Sequence, residues 1–268
     1  MSAGGGSKGR ADKIPLQKRY GQHHLVRSAS CDPLIEYLDP SGRLVVEIGP
    51  GGGVLTERLV SSAVRVLAVE IDLRWALELG QKMDRNRLAM IVADAVEMDW
   101  TRVPAGTLVA GNLPFNVATA LIERLLYAWR TVPRAAFLVQ KEVADRLLAG
   151  PGHGAYGAQS VLTAARARPV LLGTVRRGSF RPPPKVDGAF VGLELFPPVL
   201  EEQEMRPFTK TVHLAFAQRR KQLRNALASG WGRQEADRVL AAAGIDPRRR
   251  AEALTLSEFL KLHEARWK

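Results

Sequence analysis

Short apolar segments alternate with amphipathic segments between residues 44 and 149, and this alternation leaves few folds open to the chain. It predicts strands at Leu44–Ile48, Val64–Val69, Leu88–Val92, Leu108–Ala110 and Ala135–Val139. It predicts helices at Val54–Ser61, Arg74–Met83, Ala118–Ala128 and Glu142–Ala149. Continuous apolar strands between helices indicate an α/β fold whose parallel sheet is covered on both faces. Ligands of such sheets bind beyond the carboxyl ends of the strands, so we expect functional residues there.

Composition narrows the classes of protein that the chain can belong to. Its 268 residues suffice for one large domain and a smaller second one. We expect no membrane span, because no apolar run approaches the roughly 20 residues that a span needs. The single cysteine, Cys31, excludes an internal disulfide, and no Cys/His cluster suggests a metal. The amino terminus is polar rather than signal-like, so an intracellular, cytoplasmic protein is expected.

Basic residues are concentrated in the carboxyl-terminal part of the chain. Residues 151–268 carry 20 basic and 11 acidic residues, and so nine of the twelve net positive charges. Residues 41–150 are nearly neutral, with 13 basic and 12 acidic residues. This division indicates a catalytic module joined to a module that binds a polyanion, and nucleic acid is favoured over a membrane surface.

The segment Gly111-Asn112-Leu113-Pro114-Phe115 follows a predicted strand and precedes a predicted helix. An Asn side-chain oxygen and a nearby backbone carbonyl can accept hydrogen bonds from the amine of a nucleobase and favour its pyramidal transition state. The fixed φ of Pro114 helps to hold a neighbouring carbonyl, and the ring of Phe115 offers a face for a flipped base. The same residues also suit an ordinary turn into a helix, and the segment alone leaves both interpretations open.

Three further features stand at predicted strand ends. The glycine-rich loop Glu47-Ile48-Gly49-Pro50-Gly51-Gly52-Gly53 permits a tight turn and a close approach to a ligand. Glu70 ends the second strand, where the hydroxyl groups of a ribose are bound in related folds. Asp94 follows the third strand and is placed to accept from an adenine amine. Together they indicate a cofactor that contains adenosine.

The second half of the chain begins with a breaker-rich segment at residues 150–154. A helix at Gly157–Arg166, a strand at Val170–Val175 and an edge strand at Val186–Leu195 are predicted. The three prolines at 182–184 force an extended strip, which is either a rigid linker or a wall beside the active site.

Helical patterning resumes at Met205 and includes two clusters of basic residues. Arg220 and Arg224 lie one turn apart and share a face if the helix is unbroken, which would suit phosphate contacts. Arg248-Arg249-Arg250 forms the second cluster. A merely solvated face is the alternative for both.

Taken together, these motifs resemble the S-adenosylmethionine-dependent rRNA adenine N6-dimethyltransferases, specifically those that act on bacterial small-subunit rRNA. The resemblance covers residues 18–262. Besides the glycine loop and residues 111–115, the matching stretches are Lys18-Arg19-Tyr20-Gly21-Gln22, Gln140-Lys141-Glu142-Val143, Ala155-Tyr156-Gly157, Pro184-Lys185-Val186-Asp187, residues 215–221 and Gly244-Ile245-Asp246-Pro247. The block Gln218-Arg219-Arg220-Lys221 disfavours the related enzymes that act on large-subunit rRNA.

The resemblance implies a Rossmann-like, seven-stranded class I methyltransferase domain followed by a small, mainly helical carboxyl-terminal domain. We expect a disordered tail at 1–17, the methyltransferase domain at 18–198 and the helical, basic rRNA-binding domain at 199–268. The implied cofactor contacts are Gln22, His23, Leu25, Gly49, Gly51, Glu70, Asp94, Ala95 and Asn112. The implied catalytic residues are Asn112, Leu113, Pro114 and Phe115, and the implied rRNA contacts are Arg219, Arg220, Lys221, Arg224, Arg248 and Arg249. No metal is implied.

The resemblance further implies dimethylation of two adjacent adenines in a hairpin near the 3′ end of small-subunit (16S) rRNA, during subunit assembly. Nothing in the sequence argues for more than a monomer, so a monomer is expected. Four departures from the family pattern stand out. His23-His24 replaces Asn-Phe, Phe115 replaces a more common Tyr, Ala118 replaces Ser or Thr, and Gly188 replaces Ser. Methylation of another RNA, such as large-subunit rRNA, and an assembly factor without catalysis are the two rival hypotheses.

Overall fold

A single seven-stranded sheet forms the centre of the fold. The computed structural model describes residue 14, residues 23–114 and residues 117–267. The strands are β1 His24–Leu25, β2 Leu44–Ile48, β3 Arg65–Glu70, β4 Leu88–Val92, β5 Leu108–Asn112, β6 Arg134–Gln140, β7 Ala167–Val175, β8 Phe180–Arg181 and β9 Gly188–Leu195. The helices are α1 Asp32–Leu38, α2 Val54–Ser62, α3 Leu73–Lys82, α4 Ala118–Leu125, α5 Lys141–Leu148, α6 Ala158–Ala164, α7 Glu202–Phe216, α8 Leu223–Trp231, α9 Arg233–Ala243 and α10 Leu256–Trp267.

The strand order in the large sheet is β4-β3-β2-β5-β6-β9-β7. Strands β2 to β6 are parallel, and β9 is antiparallel to both of its neighbours. The five strands and four helices predicted between residues 44 and 149 are confirmed, with ends that shift by at most three residues. The predicted α/β class is therefore confirmed, and the carboxyl ends of the parallel strands meet at one edge.

Alternate residues of the strands enter two different cores, as a sheet covered on both faces requires. Val45 and Leu108 pack with side chains from α1, α2 and α3 on one face. Their neighbours Val46 and Val109 pack with side chains from α4 and α5 on the other. The continuous apolar runs of the sequence therefore reflect burial on both faces.

The prediction that residues 186–195 form an edge strand is wrong. Strand β9 starts at Gly188 and lies between β6 and β7, and seven of its eight residues are buried. Small residues at 188 and 192 make this position possible: a Cβ at Gly192 would lie 2.5 Å from the ring of Tyr37, which packs over the strand. The edge strand on this side of the sheet is β7. It accommodates Pro169, which has no N–H to donate to a neighbouring strand.

The last four helices share a third core. Phe208, Leu227, Leu240 and Phe259 are fully or almost fully buried in it. Residues that precede the predicted boundary at 198 also belong to this core, including Tyr156, whose hydroxyl donates to the Leu254 carbonyl at 2.8 Å. Helix α6 therefore packs against the helical region, and the division of the chain at residue 198 stays a prediction.

Gly111 provides a test of how closely the central strands approach. It lies opposite Ile48, and a Cβ at this position would lie 2.6 Å from the Ile48 carbonyl oxygen. The Ile48 carbonyl is part of β2 and cannot shift without disturbing the strand pairing. We therefore expect Gly111→Ala to lower the free energy of unfolding by about 1–3 kcal/mol. Urea denaturation measures this change, with Gly150→Ala as the control, since a Cβ there meets no atom within 4 Å. Equal stability of the two variants would contradict the close approach.

Candidate active site

A cavity of about 300 Å³ opens at the carboxyl ends of β2, β3, β4 and β5. It brings together ten of the residues predicted to bind the cofactor or to take part in catalysis: His23, Leu25, Gly49, Gly51, Glu70, Asp94, Ala95, Asn112, Leu113 and Pro114. Gln22 and Phe115 lie outside the described residues, so their predicted roles stay predictions.

The glycine loop after β2 forms one wall of this cavity. Gly51 has a φ of +49°, in the left-handed region that favours glycine. Its backbone N–H donates to Glu70 Oε2 at 3.2 Å. Helix α2 begins directly after the loop, at Val54, so the loop turns the chain from strand to helix beside the cavity.

Glu70 ends β3 and is only 4% exposed. Its Oε1 accepts from the Asp72 N–H at 3.0 Å while Oε2 accepts from Gly51. Burial raises the pKa of Glu70, and these backbone hydrogen bonds oppose the rise because they favour the ionised form. Both oxygens are thus fixed by main chain at the cavity wall.

Asp94 follows β4 at the same edge of the sheet. Its Oδ1 accepts from the Val96 N–H at 2.9 Å, which closes a tight turn and fixes the carboxylate. The residue is exposed, so the carboxylate remains accessible to a ligand in the cavity.

Asn112 is the last residue of β5. Its Nδ2 donates to the His23 carbonyl oxygen at 2.8 Å. Because a carbonyl can only accept, this contact fixes the orientation of the amide. The Oδ1 atom therefore remains as the acceptor of this side chain in the cavity wall.

The residues after Asn112 start the next helix. The Pro114 carbonyl accepts from the Val117 N–H at 3.1 Å and from the Ala118 N–H at 3.2 Å. Leu113 is buried, and its N–H donates to the Leu138 carbonyl of β6 at 3.0 Å. Asn112, Leu113 and Pro114 therefore lead from β5 towards α4 and also line the cavity, so the two interpretations of this sequence are compatible.

The proline strip lies beside the cavity. His23 Nδ1 donates to the Pro182 carbonyl at 2.8 Å, and β1 pairs with β8, which ends at Arg181. This placement favours the wall over the rigid linker. It also ties the segment that carries His23 and Leu25 to the second half of the chain.

Several cavity residues were not predicted, among them His24, Val117 and Leu121. Glu47 also lines the cavity, although it was named from the sequence only as part of the glycine-rich loop. Glu47 lies within β2 and is 1% exposed, and burial raises its pKa to about 8. An acidic residue inside the apolar run of residues 44–48 is a signal that could have identified it.

The predicted RNA-contact residues do not form one surface row. Helix α7 ends at Phe216 and α8 begins at Leu223, so the unbroken helix on which a shared face of Arg220 and Arg224 depended is not present. Residues 217–222 instead form turns, closed in part by a hydrogen bond from the Lys221 N–H to the Gln218 carbonyl at 2.9 Å.

Three of these arginines are paired within the protein. Arg224 pairs with Asp237, Arg249 with Glu258, and Arg248 with Asp246 at 3.1 Å. Arg249 lowers the pKa of Glu258 to about 2. Arg219 Nη2 donates to the carbonyls of Gly154 at 3.1 Å and Tyr156 at 3.0 Å.

Arg220 and Lys221 are exposed, and neither forms an ion pair with another described residue. Across residues 23–114 and 117–267, no helix is long and apolar enough to cross a membrane. Nor do three His, Cys, Asp or Glu side chains of the described part of the chain converge on a point where a metal could bind.

The pKa of Glu47 gives a stability test. The folded state holds the proton up to about pH 8, whereas the ordinary pKa is 4.5, so wild-type stability falls as the pH rises between these values. We expect Glu47→Gln to become the more stable form over this range, by on the order of a few kcal/mol at pH 8. Thermal or urea unfolding at several pH values measures the gap, with exposed Glu57→Gln as the control. A gap that does not widen with pH would contradict the assignment.

Comparison with known proteins places this site in a family. A family model for ribosomal RNA adenine dimethylases matches residues 15–266. The chain is 38% identical to the ribosomal RNA small subunit methyltransferase A of Acidothermus cellulolyticus, over 96% of this chain and 91% of that protein. It is 40% identical to the protein of the same name from Syntrophotalea carbinolica, over 92% and 95%.

Two solved structures share the fold. A dimethyladenosine transferase from Plasmodium falciparum has a TM-score of 0.73 at 23% identity, covering 89% of this chain and 96% of that one. The 23S rRNA methyltransferase ErmE has a TM-score of 0.69 at 24% identity, covering 91% and 99%. These similarities confirm the predicted class I methyltransferase fold. With a family match over nearly its whole length, the chain belongs to the ribosomal RNA adenine dimethylases, enzymes that take their methyl group from S-adenosylmethionine.

Proposed function

We propose that this enzyme dimethylates the N6 amines of two adjacent adenines in a hairpin near the 3′ end of small-subunit (16S) rRNA, during assembly of the subunit. The observation that carries the proposal is the fixed amide of Asn112, whose Oδ1 remains as an acceptor in a cavity that Glu70 and Asp94 also line. The small-subunit target is supported by the names of the relatives that are 38% and 40% identical. We place the enzyme in the cytoplasm, as a monomer.

The residues of the cavity fit S-adenosylmethionine. We assign Glu70, at the end of β3, to the ribose hydroxyls, because an acidic residue at this position binds ribose in related folds. We assign Asp94 and the neighbouring Ala95 to the adenine ring, and Gly49, Gly51, His23 and Leu25 to the remainder of the cofactor. The cofactor supplies an electrophilic methyl group on a positively charged sulfur.

The target adenine is assigned to the other side of the same cavity. Asn112 Oδ1 can accept one hydrogen of the N6 amine, and the Leu113 carbonyl can accept the second. The Pro114 carbonyl is already engaged by the start of α4, so Leu113 is the main-chain acceptor that the turn offers. Two acceptors favour a pyramidal nitrogen, whose lone pair is free to attack. The stacking role of Phe115 stays a prediction.

The chain's contribution to the reaction is positioning. Asn112 and Leu113 orient the amine so that its lone pair points along the line of attack. No residue would need to protonate the leaving group, because the sulfur that gives up the methyl group would become neutral. The amine proton is lost after transfer, when the product nitrogen is strongly acidic. No strong general base is therefore required of the cavity residues.

The two rival hypotheses are less well supported. Loss of catalysis is disfavoured, because Glu70, Asp94 and Asn112 are present and line one cavity. A large-subunit target would be compatible with the fold of the ErmE structure, but that similarity, at 24% identity, concerns the fold alone.

Asn112→Ala tests the catalytic assignment. Loss of the Oδ1 acceptor removes an interaction made mainly in the transition state, so we expect methyl transfer to fall by at least about 100-fold while RNA binding is kept. Transfer from labelled S-adenosylmethionine to under-methylated small subunits, followed by mass analysis of the 3′-end rRNA fragment, measures the change.

The control for this experiment is Asn86→Ala, in an exposed turn before β4. It should methylate as the wild type does. Full activity of Asn112→Ala would refute our assignment, and absence of label from the 3′-end fragment with the wild-type enzyme would refute the proposed substrate.

The exposed pair Arg220 and Lys221 tests the RNA interface. If both contact phosphates, Arg220→Ala combined with Lys221→Ala should weaken rRNA binding and lower the slope of log affinity against log salt by about 1.4 to 1.8. Filter binding at several salt concentrations measures the slope. The control removes two exposed charges near the amino ends of β3 and β4, with Arg65→Ala and Arg85→Ala. A slope equal to that of the control would exclude these two contacts.

A further inference from the structure

His24 is one of the cavity residues to which the sequence analysis assigned no role. It lies in β1 opposite Arg181 of β8, and its ring is 4.9 Å from the ring of Trp75 at an angle of 34°. The ring also touches the glycine loop so closely that a Cβ at Gly51 would lie 2.3 Å from His24 Cε1. His24 therefore contacts both the loop and α3, which carries Trp75.

A hydrogen bond joins this ring to the loop. The Gly52 N–H donates to His24 Nδ1 at 3.1 Å. Because Nδ1 accepts, it carries a lone pair, and the single ring proton of a neutral imidazole must be on Nε2. The contact thus defines both the protonation state and the tautomer of His24.

The same loop is held from its other side by Glu70. The adjacent backbone donors Gly51 N–H and Gly52 N–H are accepted by the Glu70 carboxylate and the His24 imidazole. A free loop of several glycines has many accessible conformations, and each hydrogen bond removes some of them. Loss of either acceptor leaves one of these amides unsatisfied and the loop less restricted.

We propose that His24 is a positioning residue that holds the glycine loop in its cofactor-binding conformation, and that it does so only as a neutral imidazole, so that protonation weakens cofactor binding. This inference rests on the assignment of the cavity to S-adenosylmethionine in the proposed function. It assigns a role to one of the two histidines that depart from the family pattern.

The protonated ring is incompatible with the observed contact. An imidazolium carries a proton on both nitrogens, so Nδ1–H would face Gly52 N–H, donor against donor. Nε2 is buried and has no hydrogen-bond partner among the described residues, so a positive charge would also be poorly solvated. Burial, and secondarily the nearby His23, lower the pKa of His24 below its ordinary value of 6.5.

Other ionisable groups surround this contact and must be separated from it. His23 precedes β1 and Arg181 belongs to β8. Asp72 and Arg74 lie at the start of α3. The acidic residues of the cavity wall are Glu47, Glu70 and Asp94. Asp72 and Arg74 form an ion pair at 2.6 Å. Because several of these groups also titrate, wild-type pH dependence alone cannot identify His24, and a variant without the ring nitrogens is needed.

His24→Phe keeps an aromatic ring against Trp75 and removes the acceptor. We expect it to bind S-adenosylhomocysteine about 3- to 10-fold more weakly than the wild type near pH 8, which corresponds to one hydrogen bond. The two affinities should converge at the pH, below 6.5, at which the His24 ring of the wild type becomes protonated, because protonation removes the same contact from the wild type. Isothermal titration calorimetry measures both affinities. A ratio of one near pH 8, or a ratio that does not change with pH, would overturn the proposal.

His153→Phe is the matched control. His153 Nδ1 also accepts a backbone N–H, that of Ala155 at 3.1 Å, but in an exposed turn outside the cavity. It should leave the affinity unchanged at both pH values. If the wild type itself fails to bind S-adenosylhomocysteine, the cofactor assignment fails; if it binds and His24→Phe matches it, only the role of His24 fails.

A measurement on the wild type does not depend on how the variant folds. The ¹⁵N shifts of the His24 ring, in protein labelled at histidine, distinguish the two neutral tautomers. We expect an unprotonated Nδ1 near pH 8 and a Gly52 amide that is protected from hydrogen exchange. Its protection factor, which is corrected for the intrinsic pH dependence of exchange, should fall as the ring is protonated. A proton on Nδ1 near pH 8 would overturn the proposal.

Discussion

The buried carboxylate of Glu70 is the contact on which the geometry of the cavity depends. One of its oxygens accepts from the loop after β2 and the other from the turn after β3, so a single side chain sets the distance between two strand ends. No described lysine or arginine pairs with it. The ionised form is therefore stabilised by backbone donors, which cannot move away as a long cationic side chain can.

Glu70 can hold the two loops and bind a ligand at the same time. Each carboxylate oxygen has two lone-pair directions, and the backbone amides use one of each. The remaining directions suit a pair of vicinal hydroxyl groups, which is the chemistry that a ribose presents. In this arrangement, cofactor binding adds hydrogen bonds to a carboxylate that is already positioned, so little reorganisation is needed.

Asn112 links the catalytic edge of the sheet to the amino-terminal segment. Its Nδ2 is held by the His23 carbonyl, and the His23 ring donates to the Pro182 carbonyl. The orientation of the amide thus depends on a segment that is 89 residues earlier in the chain and is itself secured by β8. The benefit is that a planar side chain with two possible orientations is restricted to the one that presents oxygen to the cavity.

The sequence was sufficient for the five parallel strands of the sheet and for most of the cavity. Apolar runs located the parallel strands, and the rule that ligands bind at their carboxyl ends then selected Glu70, Asp94 and Asn112 without knowledge of any contact. His24 could not be found in this way, because its role depends on a contact with Gly52 across 28 residues of chain. The position of β9 between two strands could not be predicted either. Its glycine at 192 is needed because the ring of Tyr37 packs over the strand, and the sequence does not show that contact.

The helix break at residues 217–222 was hidden for a different reason. Ala217-Gln218-Arg219-Arg220-Lys221-Gln222 contains no glycine or proline, and its residues favour helix, so tertiary contacts must end α7. Arg219 makes such a contact, because it donates to two carbonyls in the segment before α6. The break therefore follows from long-range hydrogen bonds that local propensity does not report.

These contacts change the meaning of the basic composition of the carboxyl-terminal region. A guanidinium that is paired with a carboxylate at close range contributes little to the field at a distance, because the two charges cancel. Arg224, Arg248 and Arg249 are paired in this way and serve first to connect helices and turns of the region. The excess positive charge that attracts a polyanion must come from unpaired residues, and Arg220 and Lys221 meet that condition on a loop that Arg219 anchors. The density of basic residues along the sequence thus indicates the region that we propose to bind RNA, and pairing in the structure decides which residues within it remain available.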